Sequence, residues 1–164
     1  MRFDLPVLAV LTAALSAAML GGAFAFQHIG GLDPCVLCIY QRWPWAAALA
    51  LGLAAIMLGK KGRLPAIPLG LAALALLIGA GTAAFHVGVE QQWWAGTSGC
   101  GGVVGKAKTI EDLKAQLLAT PVTRCDEVAW SMLGVSMAGW NLIVSALAAV
   151  LLAWQLIPGK RSTA

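Results

Sequence analysis

The stretch from Leu64 to Phe85, LPAIPLGLAALALLIGAGTAAF, decides the fold. It is apolar from end to end, and a helix of about 20 such residues crosses roughly 30 Å of hydrocarbon. Three further runs repeat the pattern: Leu5 to Phe26, Trp43 to Leu58 and Met137 to Ile157. Barrel strands would instead alternate apolar and polar residues over segments of about ten. The chain of 164 residues is 60% hydrophobic and 11% charged, whereas soluble domains carry about 25% charged residues. The expectation is an all-α membrane protein, a single four-transmembrane-helix bundle. Its helices cover about 5–26, 43–58, 64–85 and 137–157, and its long connections about 27–42 and 88–136.

The first run follows Arg2 and ends in Ala23-Phe24-Ala25, a small-x-small pattern of the kind signal peptidases cut. Its length exceeds the 7 to 15 residues of a signal core, so it is read as an uncleaved helix. Orientation comes from the basic residues. Arg2, the cluster Lys60, Lys61 and Arg63, and the pair Lys160 and Arg161 sit in short segments on one side, which is then cytoplasmic, together with both termini. On the other side, Arg42, Lys106, Lys108, Lys114 and Arg124 are diluted over longer loops and balanced by six acidic residues. Trp43, Trp45, Trp93, Trp94, Trp130 and Trp140 lie in or near that outer side, as an interfacial belt would. The net charge of +4 therefore reports topology, and it carries no nucleic-acid footprint.

All four cysteines, Cys35, Cys38, Cys100 and Cys125, fall on the outer side. Thiols there can persist as disulfides, and an even number suggests two bridges. Around Cys100 the chain reads Gly96-Thr97-Ser98-Gly99-Cys100-Gly101-Gly102, which predicts a mobile, exposed thiol that a large partner can reach. Thr109 to Leu118 predicts a short amphipathic helix with a capping box from Thr109 to Asp112.

The Cys35-x-x-Cys38 spacing suits a reversible disulfide and also suits zinc, although zinc wants four ligands and Cys100 and Cys125 are far apart in sequence. A c-type haem would need His where Ile39 stands. A structural bridge remains an alternative. If a helix runs through this stretch, Arg42 lies one turn deeper on the face of Cys38, where a cation favours a thiolate or a developing oxyanion. It could equally snorkel to headgroups. Asp33-Pro34 reads as a cap and first helical position, yet Pro44 argues for a kink or for a helix that starts only near Gln41.

Phe26-Gln27-His28 followed by Pro34-Cys35-Val36-Leu37-Cys38-Ile39-Tyr40-Gln41-Arg42 resembles the signature of the DsbB family of quinone-dependent disulfide-bond formation proteins. Leu133-Gly134 and Trp140 add weaker support. The resemblance extends to layout over nearly the whole chain, but Trp43-Pro44-Trp45 matches no part of that pattern. It implies a bacterial inner-membrane oxidoreductase in which Cys100 and Cys125 take electrons from a DsbA-like periplasmic partner. Cys35 and Cys38 receive them by exchange, with Cys38 facing a quinone, either ubiquinone or menaquinone. Arg42 then matches a quinone-site arginine, and His86 a histidine neighbouring the quinone. His86 reads equally well as a satisfied histidine between helices, and His28 as an interfacial loop residue. No metal, haem or flavin is expected, since no nucleotide-binding glycine motif, haem signature or metal cluster stands in the sequence. Two rivals remain: an adaptor stapled by inert disulfides, and an oxidoreductase similar to the vitamin K epoxide reductase family. The latter places its CxxC on a late helix, unlike this chain.

Overall fold

The computed structural model describes residues 3–59, 64–100, 109–111 and 123–157. Four helices dominate these residues: α1 (Leu5–His28), α2 (Val36–Leu58), α3 (Ala66–Glu90) and α4 (Met137–Leu156). Three of them, α1, α3 and α4, are long and apolar enough to cross a membrane. The first turns of α2 carry Gln41, Arg42 and Pro44, which dilute its apolar character. The basic residues 60–63 and 160–161 and most of the expected amphipathic segment 109–118 lie outside the described residues.

Consecutive helices pack side by side, α1 on α2, α2 on α3 and α3 on α4, while α1 and α4 do not pack along each other. The core between them is built from small residues and leucines: Ala9, Ala48, Leu69, Ala72, Leu76 and Ala149. Small side chains let backbones approach, which is how helices gain dispersion contacts where lipid is as apolar as leucine. At Gly52 a Cβ would stand 3.0 Å from the Ala13 backbone nitrogen, so α1 and α2 meet there almost backbone to backbone.

The second helix begins at Val36, seven residues ahead of the expected start at 43, and continues through Pro44. Its cap is neither Asp33 nor Pro34. Cys35 is the N-cap, with extended backbone (φ −70°, ψ 168°), and its sulfur accepts the Cys38 N–H. Pro44 cannot donate to the helix ladder. Tertiary packing tolerates it because Gly79 on α3 leaves room for the ring: a Cβ at Gly79 would lie 2.9 Å from the Pro44 Cβ. Glycine is required there by contact.

Ahead of α4 a two-stranded hairpin, β1 (Ser131–Met132) and β2 (Val135–Ser136), turns on Leu133 (φ 54°) and Gly134 (φ 78°). Positive φ at both central residues is what a type I′ turn demands. Ser136 then caps α4 by accepting the Gly139 N–H at 3.1 Å, and it donates to Glu90 Oε2 at 2.5 Å, tying the hairpin to the end of α3. Among the predicted belt residues, Trp43 and Trp93 are 70% and 68% exposed, but Trp45 is only 3% exposed and belongs to the core. Its register on α2 points it inward, where its indole N–H finds Asn141 Oδ1 at 2.7 Å.

Replacing Gly79 by Leu should drive a side chain into Pro44 and cost about 1–3 kcal/mol, as overpacking usually does. Thermal unfolding in detergent should show the loss, and an unchanged midpoint would mean that the α2–α3 contact is looser than the structure has it.

Candidate redox-active site

The lead-in to α2 delivers Cys35 at the helix mouth, and Cys38 follows one turn later. Their sulfurs lie 2.7 Å apart, and both are free thiols. Cys35 Sγ accepts the Cys38 backbone N–H at 3.2 Å and stands 3.6 Å from His86 Nε2 on α3. Helix N-terminal N–H groups favour a sulfur anion. Here they act on Cys35, whose thiol is drawn below its ordinary range, first by the Cys38 side-chain hydrogen bond, with His86 adding and burial opposing.

Cys100 and Cys125 form a disulfide, with Cα atoms 5.0 Å apart. Contrary to the expectation of an exposed, mobile thiol, Cys100 is 6% exposed and Cys125 is wholly buried. Both join one apolar cluster with Cys35, Leu37 and Val89, and Cys38 packs against it. The glycines around Cys100 allow this close packing. A Cβ at Gly99 would meet Val36 Cγ2 at 3.2 Å, and one at Gly96 would meet Cys100 Cβ at 2.7 Å. So Gly99 packs onto the start of α2.

Two cavities flank the cysteine cluster. An outer cleft of about 410 Å³ is lined by Trp94, Thr97, Cys100, Arg124 and Asp126 among others. Exposed Arg124 donates to both carboxylate oxygens of half-buried Asp126, at 3.0 and 2.6 Å, which holds that carboxyl below its usual range and raises the guanidinium. An inner cavity of about 530 Å³ opens between α1 and α4 and reaches Cys38, Arg42 and His86. Most of its wall is apolar, with Met19, Phe26, Trp130 and Val144 among the lining residues.

Each expected site residue has a definite place. Arg42 is turned toward α1, donating to Gln27 Oε1 at 2.6 Å and to the Ala23 carbonyl at 3.5 Å, with its guanidinium 4.9 Å from the Phe24 ring centre. Gln27 and Phe24 thus hold its charge at the inner cavity. His86 is buried beside Cys35, with Glu90 Oε1 4.0 Å from its Nε2. His28 ends α1, is exposed, and stacks on Phe24. Sequence reasoning missed Gln41, Asn141 and Glu90, which surround His86 and the cavity. A signal was available for Asn141, because it is one of two amides in its apolar span, with Gln155 near the far end, and polar groups within such spans are costly unless they serve a purpose. Cys35, Cys38 and His86 also bring three donor atoms within 4.8 Å of one another, a spacing that suits a metal ion. The zinc argument from sequence looked only to the distant cysteines for further ligands and did not weigh His86.

The chain matches the model of the family described as disulfide bond formation protein DsbB over residues 6–155. It is 30% identical over 152 residues to disulfide bond formation protein B of Azoarcus sp. (strain BH72), covering 90% of this chain and 89% of that protein. It is 34% identical to disulfide bond formation protein B of Pasteurella multocida (strain Pm70), covering 84% of this chain and 79% of the relative. Against disulfide bond formation protein B 2 of Pseudomonas aeruginosa PAO1 the identity is 33%, over 83% and 81% of the two chains. No solved structure matches it. With a family match from residue 6 to residue 155 and three apolar helices of membrane-spanning length, this chain belongs to the DsbB family and is a multi-pass membrane protein of disulfide-bond formation.

Proposed function

We propose that this protein reoxidises a periplasmic DsbA-like dithiol protein and passes the electrons through Cys100–Cys125 and then Cys35–Cys38 to a membrane quinone. The observation that carries the reading is the position of each pair. The two pairs share one buried cluster, yet each has one sulfur at a cavity: Cys100 lines the outer cleft and Cys38 the inner one. Cys125 and Cys35 are the members turned away from both cavities.

The chemistry follows from thiol–disulfide exchange, in which a thiolate attacks one sulfur and the other leaves. A partner thiolate attacks Cys100, the Cys100–Cys125 bond breaks, and Cys125 leaves as a thiolate. The partner's second thiolate then attacks its own sulfur in the mixed disulfide and releases Cys100, so the partner ends oxidised and the loop pair reduced. With Cys35 and Cys38 in the disulfide form, Cys125 attacks Cys35 and Cys38 leaves as a thiolate facing the inner cavity. Cys100 attacks Cys125 in turn, which restores the loop disulfide and leaves Cys35 and Cys38 reduced.

The inner cavity fits a quinone: its wall is mostly apolar, and Cys38, Arg42 and His86 are among its lining residues. When bound there, a quinone supplies a two-electron, two-proton acceptor for the Cys35–Cys38 pair. Arg42 would hold a carbonyl oxygen of the ring, and His86 would face it from α3. The acceptor has to be strong, because a DsbA-type partner is itself oxidising, at about −120 mV. In this reading α2 also crosses the membrane, giving a four-helix bundle in the inner membrane with the cysteine end periplasmic.

Purified protein mixed with a reduced DsbA-like protein and a soluble quinone should consume quinone, followed by its absorbance, only while reduced partner remains. With the partner's resolving cysteine removed, non-reducing electrophoresis should show a mixed disulfide that maps to Cys100. Cys100→Ala should abolish that species, whereas Cys38→Ser should keep it and stop turnover. A partner joined to Cys35 or Cys38 in the intact protein would reverse the assigned order.

Arg42→Ala should raise the KM for quinone by roughly tenfold or more, the scale of a lost hydrogen bond to a charged group. The mixed disulfide at Cys100 should still form. An unchanged dependence on quinone concentration removes Arg42 from the quinone site.

A further inference from the structure

A chain of polar groups, half-buried at Asn141 and buried at the others, crosses the otherwise apolar interior from α2 to α4, back to α2 and on to α3. Trp45 Nε1 donates to Asn141 Oδ1 at 2.7 Å, Asn141 Nδ2 donates to Gln41 Oε1 at 2.5 Å, and Gln41 Nε2 meets His86 Nδ1 at 2.8 Å. Ser145 Oγ also donates to Asn141 Oδ1, at 3.3 Å. Trp45, Gln41 and His86 are each 6% exposed or less, so water competes little for these contacts.

The chain has a direction, and one residue sets it. An indole nitrogen can only donate, so the Asn141 atom facing Trp45 must be the carbonyl oxygen. That leaves the Asn141 NH₂ group toward Gln41, which must answer with its own oxygen. The Gln41 NH₂ group is then the part that faces His86, and an amide NH₂ can only donate, so His86 Nδ1 must accept. A neutral imidazole that accepts at Nδ1 carries its proton on Nε2. That N–H lies beside Cys35 Sγ, at 3.6 Å, and Glu90 Oε1, at 4.0 Å.

We propose that Trp45, Asn141 and Gln41 are positioning residues that hold neutral His86 in the Nε2–H tautomer and so present an N–H to Cys35. The role of that N–H rests on the reading of Cys35 as a reacting sulfur. Whenever the Cys35–Cys38 pair is reduced, the N–H stabilises an anion on Cys35. The same polarity opposes metal capture by Cys35, Cys38 and His86, because a ligating Nε2 needs its lone pair free. Freeing it would require Gln41 and Asn141 both to flip, which sets the Asn141 NH₂ group against the Trp45 N–H. Ser145 Oγ could then accept from the flipped amide, but the Trp45 N–H would face a donor and lose its only acceptor among the described residues.

The test reads the tautomer directly. Protein labelled with ¹⁵N in its histidine rings, in a His28→Gln background so that one labelled ring remains, is placed in lipid nanodiscs with neither quinone nor partner. At a pH where the ring is neutral, the ¹⁵N shifts and proton correlations should show Nε2–H in at least about tenfold excess, the ratio expected from one unsatisfied buried hydrogen bond. Asn141→Asp leaves an acceptor for Trp45 but no donor for Gln41. Gln41 should then turn its NH₂ group to the new carboxylate and its oxygen to His86, moving the proton to Nδ1. Asn141→Leu, which puts no charge in the core, frees Gln41 to take either orientation and should give a mixture of the two tautomers. A predominantly Nδ1–H ring in the parent, or a tautomer ratio unmoved by both substitutions, overturns the relay. Quinone turnover is measured on the same samples. If turnover proves independent of quinone while the tautomer moves as described, the proposed function falls and the relay stands; the opposite result separates them the other way.

Discussion

The seat of the Cys35 sulfur on the first turn of α2 is the contact on which the site depends. By accepting the Cys38 N–H, that sulfur takes the place an aspartate or serine oxygen usually fills and fixes where the helix begins. Once the start is set, helical geometry places Cys38, Gln41, Arg42 and Trp45 on successive turns. Arg42 reaches α1, while Gln41 and Trp45 reach α3 and α4. A start near residue 41 would have dissolved this register and left both thiols in a loop.

A membrane-type interior makes that register consequential. Buried polar groups without partners are costly, so the amides, the indole and the imidazole at the cysteine end are linked to one another. Among the described residues the one buried side-chain polar atom without a hydrogen bond is Ser16 Oγ, which lies on α1 away from the cysteines. Ordinary packing elsewhere relies on close backbone approach at Gly52 and Gly79, and the second of these is also why a proline can stand inside α2. The irregular residue and the site above it are therefore supported by the same neighbouring helix.

Burial of the loop disulfide bears on how the proposed exchange between the pairs would run. A pair held in one apolar cluster with Cys35 does not need to swing in from solvent for each transfer. Its accessible side is the outer cleft, where the Arg124–Asp126 pair and Trp94 flank Cys100. In the proposed exchange the donors around Cys35 favour the closing step, in which Cys100 attacks Cys125 and Cys35 leaves as the anion.

Much of this was legible in the chain itself. Apolar runs of membrane length predicted the helices at 5, 64 and 137 to within about five residues at either end, because hydrocarbon thickness and helix rise leave little freedom in length. The CxxC spacing with Arg42 one turn on was readable as one group, of which Cys38 and Arg42 line a single cavity, since those relations are local to one helix. What the chain could not show depends on which surfaces meet. Pro44 argued against a helix from 36 until Gly79 was brought beside it, and glycine spacing argued for an exposed Cys100 until Val36, Leu37 and Val89 covered it. Trp45 passed for a belt residue because composition cannot say which face of α2 turns inward. Propensity and periodicity set the elements, whereas the partners of Gln41, His86 and Asn141 lie 45 and 100 residues apart in sequence, and only the packing of three helices determines that they touch.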